Sequence, residues 1–93
     1  MGTFNLKEDG QLVIDLGASK AIQIRNTGHG RVELYIDHCP SGHWTSAIKA
    51  NSGKPSPLRI PAGESITVLK SELESEHVRV GVHGDDACVQ VNY

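Results

Sequence analysis

Aromatic side chains are scarce in this chain. Phe4, Tyr35, Trp44 and Tyr93 are all it has, 4% of its residues. A core must therefore be built from aliphatic side chains, and any aromatic binding platform is confined to four positions. Long apolar runs are missing too: no stretch approaches the roughly 20 residues of a membrane helix. The N-terminal MGTFNLKEDG has neither a basic n-region nor an apolar h-region, so the expectation is a soluble chain with no secretory signal and no membrane span. Leu6 occupies the position where a myristoylation start requires Ser or Thr, and no Asn-x-Ser/Thr acceptor occurs. There is no excess of basic charge either. Nine Lys and Arg against 11 Asp and Glu leave a net charge of −2, with no Lys/Arg run and no recognition-helix pattern, which argues against a nucleic-acid partner.

The chain has two cysteines, Cys39 and Cys88, too few for a disulfide framework. They allow one bridge, two free thiols, or bonds to other chains. A bridge would close a loop of about 50 residues and contribute roughly 4 kcal/mol, provided the Cα atoms come within about 7 Å. Two free thiols in a reducing compartment is the simpler expectation. Ninety-three residues suit a single domain over 1–93, because two cores of half that size would each bury too little apolar surface.

What the chain does have is alternation. In QLVIDL (11–16) Leu12, Ile14 and Leu16 share a face; in KAIQIRN (20–26) Ile22 and Ile24 do; in RVELYID (31–37) Val32, Leu34 and Ile36 do, with Tyr35 pointing outward. HWTSAIKA places Trp44, Ser46, Ile48 and Ala50 together, which puts Trp44 in the core. ESITVLK, HVRVGV and ACVQVNY repeat the pattern, and PLRI suits a short edge strand. The turn signals EDG, NTGHG, CPSG, NSGKPSP, PAGE and GDD divide these runs into about seven to nine strands. Strands with one wet and one dry face predict an all-β antiparallel sandwich or jelly roll. The only helical hint is SELESEH (71–77), where Ser71 and Glu74 have capping-box spacing and predict a single turn.

Two hairpins follow from matching apolar faces. A Gly84-Asp85 turn would set Val82 against Ala87 and Val80 against Val89, leaving Cys88 on the polar face opposite Gly81. An NTGHG turn would set Ile24 against Val32, and so Arg25 against Arg31, a like-charge pair that a carboxylate or a bound anion would relieve.

The stretch DHCPSGHW carries His38, Cys39 and His43, all zinc-ligand types, but adjacent strand residues point to opposite sides and no fourth ligand is specified. Cys39 with His43, or Cys88 with His83, lacks the third group that orients the base of a thiol nucleophile. Gly28 to Gly30 lack a phosphate-loop pattern, and Asp85-Asp86 suit a solvated turn better than a calcium site. No cofactor is implied.

The segments IQIRNTG, RIPAGESITV and VRVGV, in this order across about residues 20 to 82, resemble small β-sandwich structural proteins of bacteriophage virions, of the decoration and fibre type. That resemblance implies structural assembly or receptor binding rather than catalysis, in a virion or extracellular setting, with a homo-oligomer or virion and filament proteins as partners. The alternative is a lectin-like domain that binds carbohydrate at a cell surface through Tyr35 and the loops at 37–43 and 84–86. Its candidate contacts are Tyr35, Arg25, Arg31, Arg79, Asp85 and Asp86. A metal- or thiol-dependent role for His38, Cys39, His43, His83 and Cys88 is the third expectation.

Overall fold

The computed structural model describes residues 2–93. Among them are nine strands: β1 (Thr3–Lys7), β2 (Gln11–Asp15), β3 (Ala21–Asn26), β4 (Val32–His38), β5 (Thr45–Ser46), β6 (Leu58–Ile60), β7 (Ser65–Leu69), β8 (His77–His83) and β9 (Cys88–Asn92). The helical pieces are two 3₁₀ turns, Ala50–Ser52 and Lys70–Glu72. The predicted single turn is thus present but begins before SELESEH. Its brace is Glu72, whose Oε1 accepts from the Leu69 N–H at 2.9 Å, rather than a Ser71–Glu74 box.

The strands form two antiparallel sheets, the all-β sandwich that the alternation predicts. One is four-stranded in the order β1-β9-β3-β7; the other runs β2-β8-β4-β5, with β6 also pairing β4. The expected hairpins are not formed. β8 pairs with β2 and β4, and β9 pairs with β1 and β3, so the two lie in different sheets. β3 and β4 are divided in the same way. The reason is physical: strands facing each other across a core present matching apolar faces just as paired strands do. Consequently Arg25 lies opposite Ser65 and Gln90, not Arg31, and Cys88 lies opposite Lys7, not Gly81. β1 is a further strand beyond those expected from the alternation, with Leu6 buried and Lys7 exposed beside it.

The core is aliphatic, as the scarcity of aromatics demands. Ile14, Ile22, Ile24, Leu34, Ile36, Leu58, Val68, Val80, Val82, Val89 and Val91 are all completely buried. Each buried Val, Leu or Ile contributes about 1.5–3 kcal/mol relative to exposure, so the interleaf is the principal source of stability. One polar residue is buried with them, Asn26. Its Nδ2 donates to the Gly30 carbonyl at 2.7 Å and to the Ile60 carbonyl at 2.8 Å, while Oδ1 accepts from the Gly28 N–H at 2.9 Å. The side chain therefore clips the end of β3 and the β3–β4 loop to β6 of the other sheet. Gly28 fits closely here: a Cβ would stand 3.3 Å from the backbone nitrogen of Cys88, and the Cys88 carbonyl accepts from the Thr27 and Gly28 N–H groups.

At the other end Lys54 Nζ donates to both carboxylate oxygens of Glu72, at 2.8 and 2.7 Å. The Lys54 hydrogen bond, followed by the Leu69 N–H, holds the Glu72 carboxyl below its ordinary range. A depressed carboxylate stabilises the fold above the unfolded-state value, and the contribution is lost as pH falls through the native one. Carboxyl NMR titration is expected to give a low midpoint for Glu72 that moves up towards the ordinary range in Lys54→Met, the Leu69 N–H holding part of the depression. In a separate test, Asn26→Ala leaves the buried Ile60 carbonyl without its donor and is expected to destabilise the fold by about 2 kcal/mol, read as a lowered urea midpoint at unchanged m-value.

Candidate functional site: the outer face of the five-stranded sheet

Because Val78, Val80 and Val82 of β8 point inward, His77, Arg79, Gly81 and His83 point out. The registers then fix which outward residues are neighbours. Val13, Arg79, Asp37 and Ser46 form one row across β2, β8, β4 and β5. Gln11, Gly81 and Tyr35 form the next. His83 and Glu33, continued by Arg59 on β6, form a third. Gly81 has no side chain and is buried between its neighbours, with Gln11 Cγ 4.0 Å from where a Cβ would stand.

Trp44 is placed on this face, contrary to the expectation that it sits in the core. The guanidinium carbon of Arg79 lies 4.0 Å from its ring centroid, and the residue is 45% exposed. The alternation Trp44, Ser46, Ile48 breaks after Ser46: Ala47 and Ile48 are both buried, with the Ala47 N–H donating to the Ile36 carbonyl and Ile48 bridging Leu73. Ile48 is therefore a core residue and Trp44 is not. A cation stacked on indole is worth about 0.5–1 kcal/mol at an exposed site, enough to orient the ring without immobilising it. Tyr35 meets His83 edge-on, with ring centroids 5.2 Å apart, so the second outward aromatic is oriented as well.

Beside Trp44 lies an open cleft of about 510 Å³ lined by Val13, His38, Cys39, Trp44, Glu74 and His77 among others. Val13, at 71% exposure, is the most exposed large apolar side chain of the described residues. Ionisable groups rim the face in loose pairs: His77 Nδ1 is 3.6 Å from Asp15 and His83 Nδ1 is 3.4 Å from Asp9.

The other sequence candidates are dispersed. Tyr35 and Arg79 share this face. Arg25 is on the outside of the opposite sheet, and Arg31, Asp85 and Asp86 lie in the β3–β4 and β8–β9 turns. The Asp86 N–H donates to Glu8 Oε1 at 2.7 Å. His38 and Cys39 line the cleft, but among the described residues no group of three or more His, Cys, Asp or Glu side chains is arranged to hold a metal ion. Cys39 and Cys88 are both free. Cys39 follows the last residue of β4, while Cys88 sits beside the loop that precedes the first, so a seven-residue strand of roughly 20 Å lies between their levels. That separation is far beyond disulfide reach. The alternation puts Asp37 and Gly81 in the outward phase of β4 and β8, and Val13 in that of QLVIDL; Trp44 is the surface residue that it assigns to the core.

No family model and no curated protein matches the sequence. Among solved structures, one described as "Crystal structure of PirA" superimposes with a TM-score of 0.62 at 13% identity, over 99% of this chain and 91% of that one. The likeness is one of fold.

The thiol geometry makes a prediction. Under native conditions a thiol reagent is expected to modify Cys39 faster than the half-buried Cys88, and mild oxidation to give interchain but no intrachain disulfide on non-reducing mass analysis.

Proposed function

We propose that the protein is a non-enzymatic surface-binding module whose contact surface is the outer face of the five-stranded sheet, with cell-surface carbohydrate as the ligand class. The observation that carries this reading is the exposed Trp44 ring braced by Arg79 at the cleft lined by Val13, His38 and His77, on the same face as Tyr35. An oriented aromatic ring offers an apolar plate to the C–H face of a sugar at little entropic cost. Asp37 and Gln11, in the same rows, supply the acceptors and donors that would fix hydroxyl groups. The cleft next to Trp44 has a volume suited to one or two sugar units.

A second reading, a self-assembling component of a virion or extracellular filament, is favoured by the free edge of β2. The Leu16 N–H donates to Glu76 and the Val82 N–H to Gly10, so even-numbered residues of this strand bond toward β8. Gln11, Val13 and Asp15 then turn their backbone groups to the open side. Pairing with a second copy about Val13 would set Gln11 opposite Asp15 twice, a self-complementary register.

The two readings separate in solution. Glycan-array binding that persists in chelator and weakens about tenfold in Trp44→Ala, with unchanged thermal stability, is the expected result for the first. An array with no bound glycan would refute it. Light scattering behind size exclusion tests the second: a concentration-independent monomer that Val13→Lys leaves unaltered would exclude assembly through β2.

A further inference from the structure

The outward positions of the four-stranded sheet have a composition unlike the rest of the molecule. Most residues that alternate with the buried Leu6, Ile22, Ile24, Val68, Val89 and Val91 are amides or hydroxyls, namely Thr3, Asn5, Gln23, Ser65, Thr67, Gln90 and Asn92, with Ala21, Leu69 and Cys88 between them. Of the chain's 11 Asp and Glu, none stands at an outward position of β1, β9, β3 or β7; the only cations there are Lys7 and Arg25. A chain of net charge −2 thus keeps the outward strand positions of one sheet free of side-chain carboxylates.

Arg25 is at the centre of that face, with Ser65 on one side and Gln90 on the other. Next to it runs a parallel row in which Gln23 lies opposite Asn92, and Asn92 opposite Thr3. Gln23, Arg25, Ser65, Gln90 and Asn92 line a small polar pocket of about 170 Å³. Thr3 Oγ1 donates to Asn92 Oδ1 at 2.7 Å, which leaves the Asn92 amide N–H groups for another partner. Among the described residues Arg25 has no ion pair, whereas Arg59 is held by Glu33 at 3.3 Å and Arg79 by the Trp44 ring. A planar fork with no internal carboxylate, surrounded by amide and hydroxyl donors, is built for a planar anion.

We propose that this pocket is a carboxylate subsite, and that the outer face of the four-stranded sheet binds an acidic, polyhydroxylated ligand of the uronic-acid glycan class. The pocket is too small to bury a sugar ring but accommodates a carboxylate. The ring then lies on the neutral rows, whose side chains are spaced about 4.8 Å apart from strand to strand and match a plane of hydroxyls. The absence of acids matters as much as the arginine, because one like charge beside the subsite would cancel most of the attraction. This site is independent of the Trp44 face, and its failure would leave that reading standing.

The test is an amide NMR titration of the whole chain with galacturonic-acid oligomers, uncharged galactose oligomers of the same length, and acetate. The acidic oligomer is expected to shift amides of β3 and β9. Arg25→Gln is expected to weaken it at least tenfold, Arg25→Lys to weaken it less, and Trp44→Ala to leave it unchanged. The uncharged oligomer and acetate are each expected to bind at least tenfold more weakly than the acidic oligomer. No shift with the acidic oligomer, equal binding of the uncharged one, or shifts confined to the Trp44 face would overturn the proposal. Acetate binding as tightly as the oligomer would overturn the polyhydroxylated part of it.

Discussion

Everything in this molecule depends on the burial of two aliphatic sheets against each other. Six of the eight strand connections cross from one sheet to the other, so nearly every strand is paired with segments distant in sequence. Few local hairpins exist to hold a sheet together before the layers meet. The sheets are stable only as faces of one interleaf, in which valines, leucines and isoleucines provide the driving force and no aromatic is fully buried. Topology of this kind forms slowly, because loop closure precedes the contacts that reward it. Asn26 is the polar exception, and its three hydrogen bonds replace a hairpin: they tie one sheet to the other where the chain crosses.

The same constraint determines the surface. With inward positions reserved for aliphatic side chains, the polar half of every alternation is displayed on one of two flat faces pointing in opposite directions. The two faces are chemically distinct. The five-stranded sheet shows an indole on a guanidinium, a tyrosine, histidines and charges of both signs. The four-stranded sheet shows amides and hydroxyls around one unpaired arginine. Neither difference follows from the fold, since alternation would tolerate acids or aromatics on either side.

Alternation made the faces legible in the sequence and left the pairing illegible. Val78, Val80 and Val82 are buried as expected, and so are Val89 and Val91, yet the two runs are opposed across the core rather than hydrogen-bonded. Period-2 patterning specifies which side of a strand is dry and says nothing about which strand lies beside it. Trp44 departs from its expected place for a related reason. The alternation carries its phase through Ile48, but the regular strand is only Thr45–Ser46, and a break after two residues is not written in any side chain. The clash with Arg31 that makes Arg25 an anion candidate in the sequence does not occur in the fold. What isolates Arg25 is the acid-free neighbourhood of Ser65, Gln90 and Asn92, which requires the strand order to be seen.

The opposition of the two faces bears on how a module of this size would act. Packed sheets stand about 10 Å apart, so ligands on their outer surfaces are separated by the full thickness of the sandwich. A short ligand cannot reach both, and binding on one face gives no chelate advantage to the other. Two occupied faces would instead join two separate ligand molecules, with the rigid core as the spacer. Pairing of β2 edges would extend the five-stranded sheet laterally without covering either face, because edge pairing adds strands within the plane of a sheet. The proposed carbohydrate binding and the proposed assembly are for that reason compatible in this architecture: one would use the faces and the other an edge.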